Sequence, residues 1–180
     1  MAMRVVDLFC GCGGLSLGFQ KAGFDVVAAY DKWEAALNVY RDNFNHPASV
    51  LDLSNVQASS IVIDEKQPDM IIGGPPCQAY SLVGRAQSSH MEVPMEEDPR
   101  NYLYKLYARF LKRYQPRMFV FENVTGIESA NGGNTWKNIQ MYLKRVGYEI
   151  ECREQNAHTF GVLQNRRRMI IVGWLKGSGL

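Results

Sequence analysis

Four cysteines are too few and too scattered to staple a fold: Cys10, Cys12, Cys77 and Cys152 form no CxxC pair. No signal-peptide pattern opens the chain either. Neither a disulfide framework nor a zinc site is expected, and free thiols in a reducing cytoplasm are. The sequence lacks an apolar run near the roughly 18 residues that a membrane span needs, and it shows no internal repeat or low-complexity tract. Charge of one sign is missing too. Lys and Arg number 20 against 18 Asp and Glu, a formal +2 at pH 7, without the clustered cations of a strongly basic nucleic-acid binder. Apolar residues make up 46% of the 180 positions, enough for one ordinary domain with a real core and too few for two.

The chain reads as strands alternating with helices. "MRVVDLF" (3–9) meets the glycine cluster "GCGG" (11–14), and "LSLGFQKAG" (15–23) then has helical spacing up to Gly23. "DVVAAY" (25–30) is a second strand. "DKWEAALNVYRDNF" (31–44) is a helix in which Trp33, Leu37, Tyr40 and Phe44 recur every three or four residues. A brief third strand falls near Ser49 to Leu51, with "SNVQASSIVIDEKQ" (54–67) as its helix. "DMIIGG" (69–74) is a fourth strand, buried on both faces to judge by its unbroken apolar centre.

Ala79 to Asp98 has no periodicity and carries Gly84, Pro94 and a run of acids, which predicts a long loop. Loops of about twenty residues in compact domains are usually lids or binding segments. "RNYLYKLYARFLKRYQ" (100–115) follows as a helix whose cations are read as a solvated face. "RMFVFENV" (117–124) is strand five, "TWKNIQMYLKRVG" (135–147) a helix, and "YEIECREQNA" (148–157) and "RMIIVGW" (168–174) two final strands. No helix separates that last pair, so they are expected to be antiparallel. The alternation implies an α/β fold: a mainly parallel sheet with helices on both faces and an antiparallel strand near the C-terminus. Ligands of such sheets bind beyond the carboxyl ends of the strands.

The chemistry-bearing residues fall on those ends. Gly11, Gly13 and Gly14 let a turn bring its backbone close to a ligand, and Asp31 ends strand two, where a carboxylate grips ribose hydroxyls. The plainer reading is that the glycines merely turn the chain. A dinucleotide fingerprint needs glycine at position 16, which is Ser16, so a phosphate-free adenosine ligand fits better than a dinucleotide. A nicotinamide-dependent oxidoreductase is therefore the weaker alternative.

Pro75 and Pro76 stiffen the approach to Cys77, and Gly73 and Gly74 permit close packing, so the thiol projects from a rigid platform. Most free cysteines are small core residues, but Gln78 and the long loop after it argue for a site. Cys10 and Cys12 are read as small residues in a tight turn. Glu122 and Asn123 interrupt "MFVFENV" at its carboxyl end, where a carboxylate entering an apolar wall would tend to hold a proton. In "QNRRR" (164–168), Gln164, Arg166 and Arg168 are spaced by two, so an extended segment puts all three on one side, suited to phosphate or carbonyl oxygens.

"DLFCGCGGLSLGF", "GGPPCQAYS", "FENV" and "QNRRR" together resemble the cytosine-5 DNA methyltransferase family, in its order and at its separations, from about Val6 to Val172. "DPRNYLY" (98–104) is similar to the segment that follows the family's active-site loop. The resemblance implies a Rossmann-like methyltransferase fold with residues 1–180 as a single catalytic domain, truncated or one subunit of a split enzyme. It implies S-adenosylmethionine as methyl donor, leaving S-adenosylhomocysteine. The donor would be held by Phe9 near the adenine, Gly11, Gly13 and Gly14, Asp31 at the ribose, Lys32, Asp52 at the adenine edge, Leu53 and Pro75.

By the same resemblance Cys77 is the nucleophile, Glu122 the acid at ring nitrogen 3, and Arg168 the donor to the cytosine carbonyl with Arg166 and Gln164 in support. Pro76, Gln78, Ser81 and Asn123 are implied at the substrate, and no metal is implied. The expected partners are DNA with a flipped cytosine and a second polypeptide supplying target recognition. A cytoplasmic restriction-modification role follows. A non-catalytic S-adenosylmethionine-binding subunit and an RNA cytosine methyltransferase are the alternatives.

Overall fold

The computed structural model describes residues 2–53, 67–76 and 102–179. The helix expected over 54–67, its last residue Gln67 apart, the loop over 79–98, and Cys77, Gln78 and Ser81 lie outside the described residues.

β1 (Arg4–Leu8) runs into the glycine turn, and α1 (Gly14–Lys21) starts from Gly13, whose left-handed φ of 93° suits glycine. α1 ends at a left-handed Gly23. The Phe24 N–H reaches back to Phe19 O at 3.1 Å while the two rings meet edge to face, 5.1 Å between centroids, the pairing that closes many helix C-termini. β2 (Asp25–Asp31) leads to α2 (Glu34–Asn43), β3 (Ala48–Val50) and β4 (Met70–Gly73). α3 (Leu103–Tyr114) stops where Gln115 turns left-handed ahead of Pro116. β5 (Met118–Val124), α4 (Asn134–Arg145), β6 (Tyr148–Asn156) and β7 (Arg167–Leu175) complete the chain.

These strands form a 7-stranded sheet in the order β3-β2-β1-β4-β5-β7-β6. The first five are parallel, β7 is antiparallel to β5, and β6 is antiparallel to β7. The order reverses between β1 and β4. That is the switch point at which the loops leave in opposite directions and open a crevice.

Alternation along the strands feeds two layers. Val6, Leu8, Ile71, Phe119 and Phe121 pack with Tyr107 and Leu111 of α3 and with Ile139 and Leu143 of α4. Val5, Met70 and Ile72 face the other way, toward Leu15 and Phe19 of α1. Leu37 and Tyr40 of α2, with Phe44 just past its end, cover Ala29 and Cys10. The Tyr107 hydroxyl donates between Ile71 O (3.0 Å) and Val120 O (2.9 Å), tying α3 to both β4 and β5.

Two expectations change. Trp33 does not belong to the buried stripe of α2: it caps the helix and is 66% exposed, because Asp31 still belongs to β2 and α2 begins at Glu34. Gln164 does not share an extended row with Arg166 and Arg168. β7 starts at Arg167, and the Gln164 N–H donates to Val162 O at 2.8 Å, a tight turn in which strand alternation does not hold.

Candidate active site

The carboxyl ends of β2, β1, β4 and β5 bring four groups of residues to one edge of the sheet. At β2, both oxygens of Asp31 organise backbone: Oδ2 accepts from Gly11 N–H and Oδ1 from Trp33 N–H, each at 2.9 Å. The glycine turn is thereby tied to the start of α2, with the Trp33 indole standing in solvent beside it. Lys32 and Asp52 are exposed. Leu53, 2% exposed, is buried in the main core with Val6 and Leu8 rather than presented at the edge.

In the turn after β1, Phe9 holds a left-handed φ of 61°, a conformation that costs a residue with Cβ about 1–2 kcal/mol. Gly13 is buried against α2: a Cβ there would lie 2.9 Å from Tyr40 Cδ2 and overlap the Phe44 ring. Gly11 and Gly14 differ, since a Cβ at either meets nothing within 4 Å. The turn is packed on its inner side and open on its outer side, which leaves room for a flat ligand at Gly11 and Gly14. Cys10 is buried, with desolvation pushing its thiol far above the ordinary range, and Cys12 is exposed. Among the described residues no cluster of His, Cys, Asp and Glu is arranged to hold a metal ion.

The paired glycines at the end of β4 have separate reasons. A Cβ on Gly73 would collide with the Leu8 carbonyl oxygen, so β4 can approach β1 at the switch only without a side chain. One on Gly74 would lie 2.8 Å from Glu122 Oε2. Pro75 is buried and Pro76 half-buried. The Pro75 carbonyl accepts from Asn123 Nδ2 at 3.0 Å, and Asn123 Oδ1 accepts from Val124 N–H at 2.9 Å. Asn123, expected at the substrate, is 4% exposed and spends both ends of its amide on backbone, clamping the proline platform from β5.

Glu122 does not enter an apolar wall. Its Oε1 lies 2.8 Å from Arg168 Nε, both side chains 24% exposed. The register explains the meeting: Glu122 faces Ile170 across the β5–β7 ladder, so Arg168 is its diagonal neighbour on the same face. Arg168 also donates from Nη1 to Arg167 O at 2.8 Å. Arg166 leads into β7 with its carbonyl accepting from Ala157 N–H at 2.9 Å, and its side chain is exposed.

Sequence reasoning passed over Asp7. It is 0% exposed, with Oδ2 accepting from the Ser16 hydroxyl at 2.7 Å, and burial raises its carboxyl to about 7. One signal was available: it is the only charged residue among the buried positions of "RVVDL". Trp33 was also passed over as a site residue, since helical spacing placed it in the core.

A mainly parallel α/β sheet with its switch point between β1 and β4 and an antiparallel strand pair at one edge has the Rossmann-like fold of methyltransferases. A family model for C-5 cytosine-specific DNA methylases matches residues 3–180, and the chain belongs to that family. It is 36% identical to Type II methyltransferase M1.HphI of Haemophilus parahaemolyticus, over 99% of this chain and 47% of that protein. It is likewise 36% identical to M.HgiDI of Herpetosiphon aurantiacus, over 98% of this chain and 53% of that one. The chain thus spans about half the length of these relatives. A crystal structure described as a prophage-encoded DNA modification methyltransferase of E. coli superposes with a TM-score of 0.78 at 31% identity, over 97% of this chain and 47% of that one. S. pombe Dnmt2 methyltransferase shares the fold, with a TM-score of 0.73 over 100% of this chain and 52% of that one at 21% identity.

Proposed function

We propose that this chain holds the donor-binding and reacting half of an enzyme that transfers a methyl group from S-adenosylmethionine to carbon 5 of cytosine in DNA. The observation that supports it most is the convergence of Asp31, the open glycine turn, the Gly73–Pro76 platform and the Glu122–Arg168 pair on consecutive strand ends. The donor fits what is there. Asp31 keeps lone pairs for ribose hydroxyls, the exposed Trp33 indole and Phe9 offer faces to an adenine, and Gly11 and Gly14 leave its path open. Lys32 and Asp52 border the adenine end, and Pro75 lines the path to the platform. When bound, S-adenosylmethionine supplies an electrophilic methyl group on a sulfonium.

The residues supply the rest. Carbon 5 of cytosine is a poor nucleophile until a thiolate adds to carbon 6 and turns the ring into an enamine. Cys77, next in the chain after the clamped prolines, is the thiol for that step. Glu122 engages ring nitrogen 3 and Arg168 the ring carbonyl, where charge develops, with Arg166 and Gln164 in support. Loss of the carbon 5 proton then expels Cys77. Stacked bases bar the attack, so the cytosine is flipped out, with Pro76, Gln78 and Ser81 around it. Target recognition comes from a second polypeptide or a further part of the protein, in a restriction-modification setting.

Cys77→Ser tests the reading. With a complementing polypeptide present, it should abolish methyl transfer to DNA and covalent trapping on 5-fluorocytosine DNA while leaving S-adenosylmethionine binding within about twofold of wild type. Full activity in that variant would refute the nucleophile. Cofactor binding with no trapping by wild-type protein would instead favour a non-catalytic subunit.

A further inference from the structure

Ionised Asp7 lies at the inner end of a hydrogen-bonded chain whose direction is then fixed by proton count. Ser16 has one hydroxyl proton and gives it to Asp7 Oδ2 at 2.7 Å. Tyr40 therefore donates to Ser16 Oγ, also at 2.7 Å, which commits its only proton. The Tyr40 oxygen then accepts from His46, 2.6 Å from Nε2, so Nε2 carries the hydrogen. His46 Nδ1 is left as the acceptor facing Gln20 Nε2 at 3.5 Å. Every bond points the same way, from the exposed Gln20 to a fully buried carboxylate. At its end, Asp7 Oδ1 has no hydrogen-bond partner among the described residues.

Asp7 is the penultimate residue of β1, under the switch point. A ligand held at Asp31 on β2 and reaching Glu122 on β5 must cross the ends of β1 and β4, strands about 4.8 Å apart. Its middle then passes over the strand end that Asp7 underlies. We propose that Asp7, at the end of this one-way chain, is the group whose negative charge favours a sulfonium donor over its neutral sulfide product, with Ser16, Tyr40 and His46 as its positioning residues. The inference rests on the cofactor reading above.

The groups around Asp7 leave it as a titrating charge. Ser16 approaches from α1 and Tyr40 from α2, the latter with its hydroxyl pushed far up by burial. Cys10 follows in the turn after β1, a thiol kept protonated by burial. Asp31, at the end of β2, opposes ionisation, and Tyr107 on α3 stays neutral. From β4, Ile72 and Gly73 bring no ionisable group. His46, at the outer end, is lowered by burial with Asp25 acting against that shift. Burial raises Asp7 to about 7, so both of its forms are populated near neutrality. A cation bound above it favours the charged form, and binding should release a proton.

Calorimetry of the whole chain with S-adenosylmethionine and S-adenosylhomocysteine from pH 6 to 9, in two buffers of different ionisation enthalpy, reads this directly. The ratio of the two affinities should rise about tenfold in favour of the sulfonium form across pH 6 to 8.5, with proton release on its binding. Ser16→Ala removes a hydrogen bond to the carboxylate and should move that rise up by about one pH unit, weakening the sulfonium ligand roughly fivefold at pH 7 and hardly at pH 9. Tyr40→Phe keeps the ring against Gly13 and should shift the rise the same way by less. Asp7→Asn should give a flat ratio, and Ser16→Ala carries the test if that variant does not fold. A flat ratio in the wild type, or a Ser16→Ala loss equal at every pH, overturns the inference while the cofactor reading stands. If neither ligand binds at any pH, the cofactor reading falls first and this inference with it.

Discussion

A methyl group on Gly74 would sit 2.8 Å from Glu122 Oε2, so β4 ends without a side chain where β5 presents its carboxylate. The obstacle is the far end of a flexible side chain, and the fold can yield cheaply. Gly74→Ala should leave the unfolding midpoint within a few degrees of wild type while displacing Glu122 from Arg168 and lowering methyl transfer at least tenfold. An alanine variant with wild-type turnover would mean that the position of Glu122 does not matter.

Gly11 and Gly13 separate folding from binding. Gly13→Ala places a Cβ on the Tyr40 and Phe44 rings at a φ of 93° and should cost about 3 kcal/mol or more in urea unfolding. Gly11→Ala meets no protein atom at a φ of 53° and should cost only about 1 kcal/mol, yet weaken S-adenosylmethionine binding at least tenfold. Equal behaviour of the two variants would contradict the open and packed sides of the turn.

Asn123→Ala strips the Pro75 carbonyl and the Val124 N–H of their partners. Leaving such buried groups unsatisfied costs about 1–3 kcal/mol. The platform ahead of Cys77 should loosen with it, so turnover should fall more steeply than cofactor affinity. Loss of both in the same proportion would argue for general destabilisation.

Asp7 gives a pH signature in stability. Its folded carboxyl at about 7 lies above the ordinary aspartate value of 3.8, so between those values the folded state binds a proton that the unfolded state has lost. The contribution of this group is greatest below 3.8, declines as pH rises and levels off above 7, a span worth roughly 4 kcal/mol. Asp7→Asn removes that slope. The difference in unfolding free energy between wild type and variant should therefore grow in the variant's favour from pH 5 to pH 8. Parallel curves would show that Asp7 does not titrate in this range.

Local signals made much of this molecule legible. The glycine turn, the apolar centre of β4 and the lack of an α-helix between β6 and β7 are written in residues close together in sequence, and each constrains backbone that lies close together in space. Trp33 misled because helical spacing does not say where a helix starts, and Asp31 settled that by accepting the Trp33 N–H. Gln164 misled because alternation holds only within a strand, and β7 begins at Arg167.

By itself the sequence determined the alternating α/β pattern, the family and the order of its motifs, since propensity, glycine freedom and proline stiffness act over a few residues. Only the tertiary structure decided that β7 inserts between β5 and β6 to set Arg168 beside Glu122, that Gly73 and Gly74 answer to Leu8 and Glu122, and that Asp7 ends a chain beginning at His46 and Gln20. Those relationships join residues distant along the chain, and they exist only once packing has excluded water from between them.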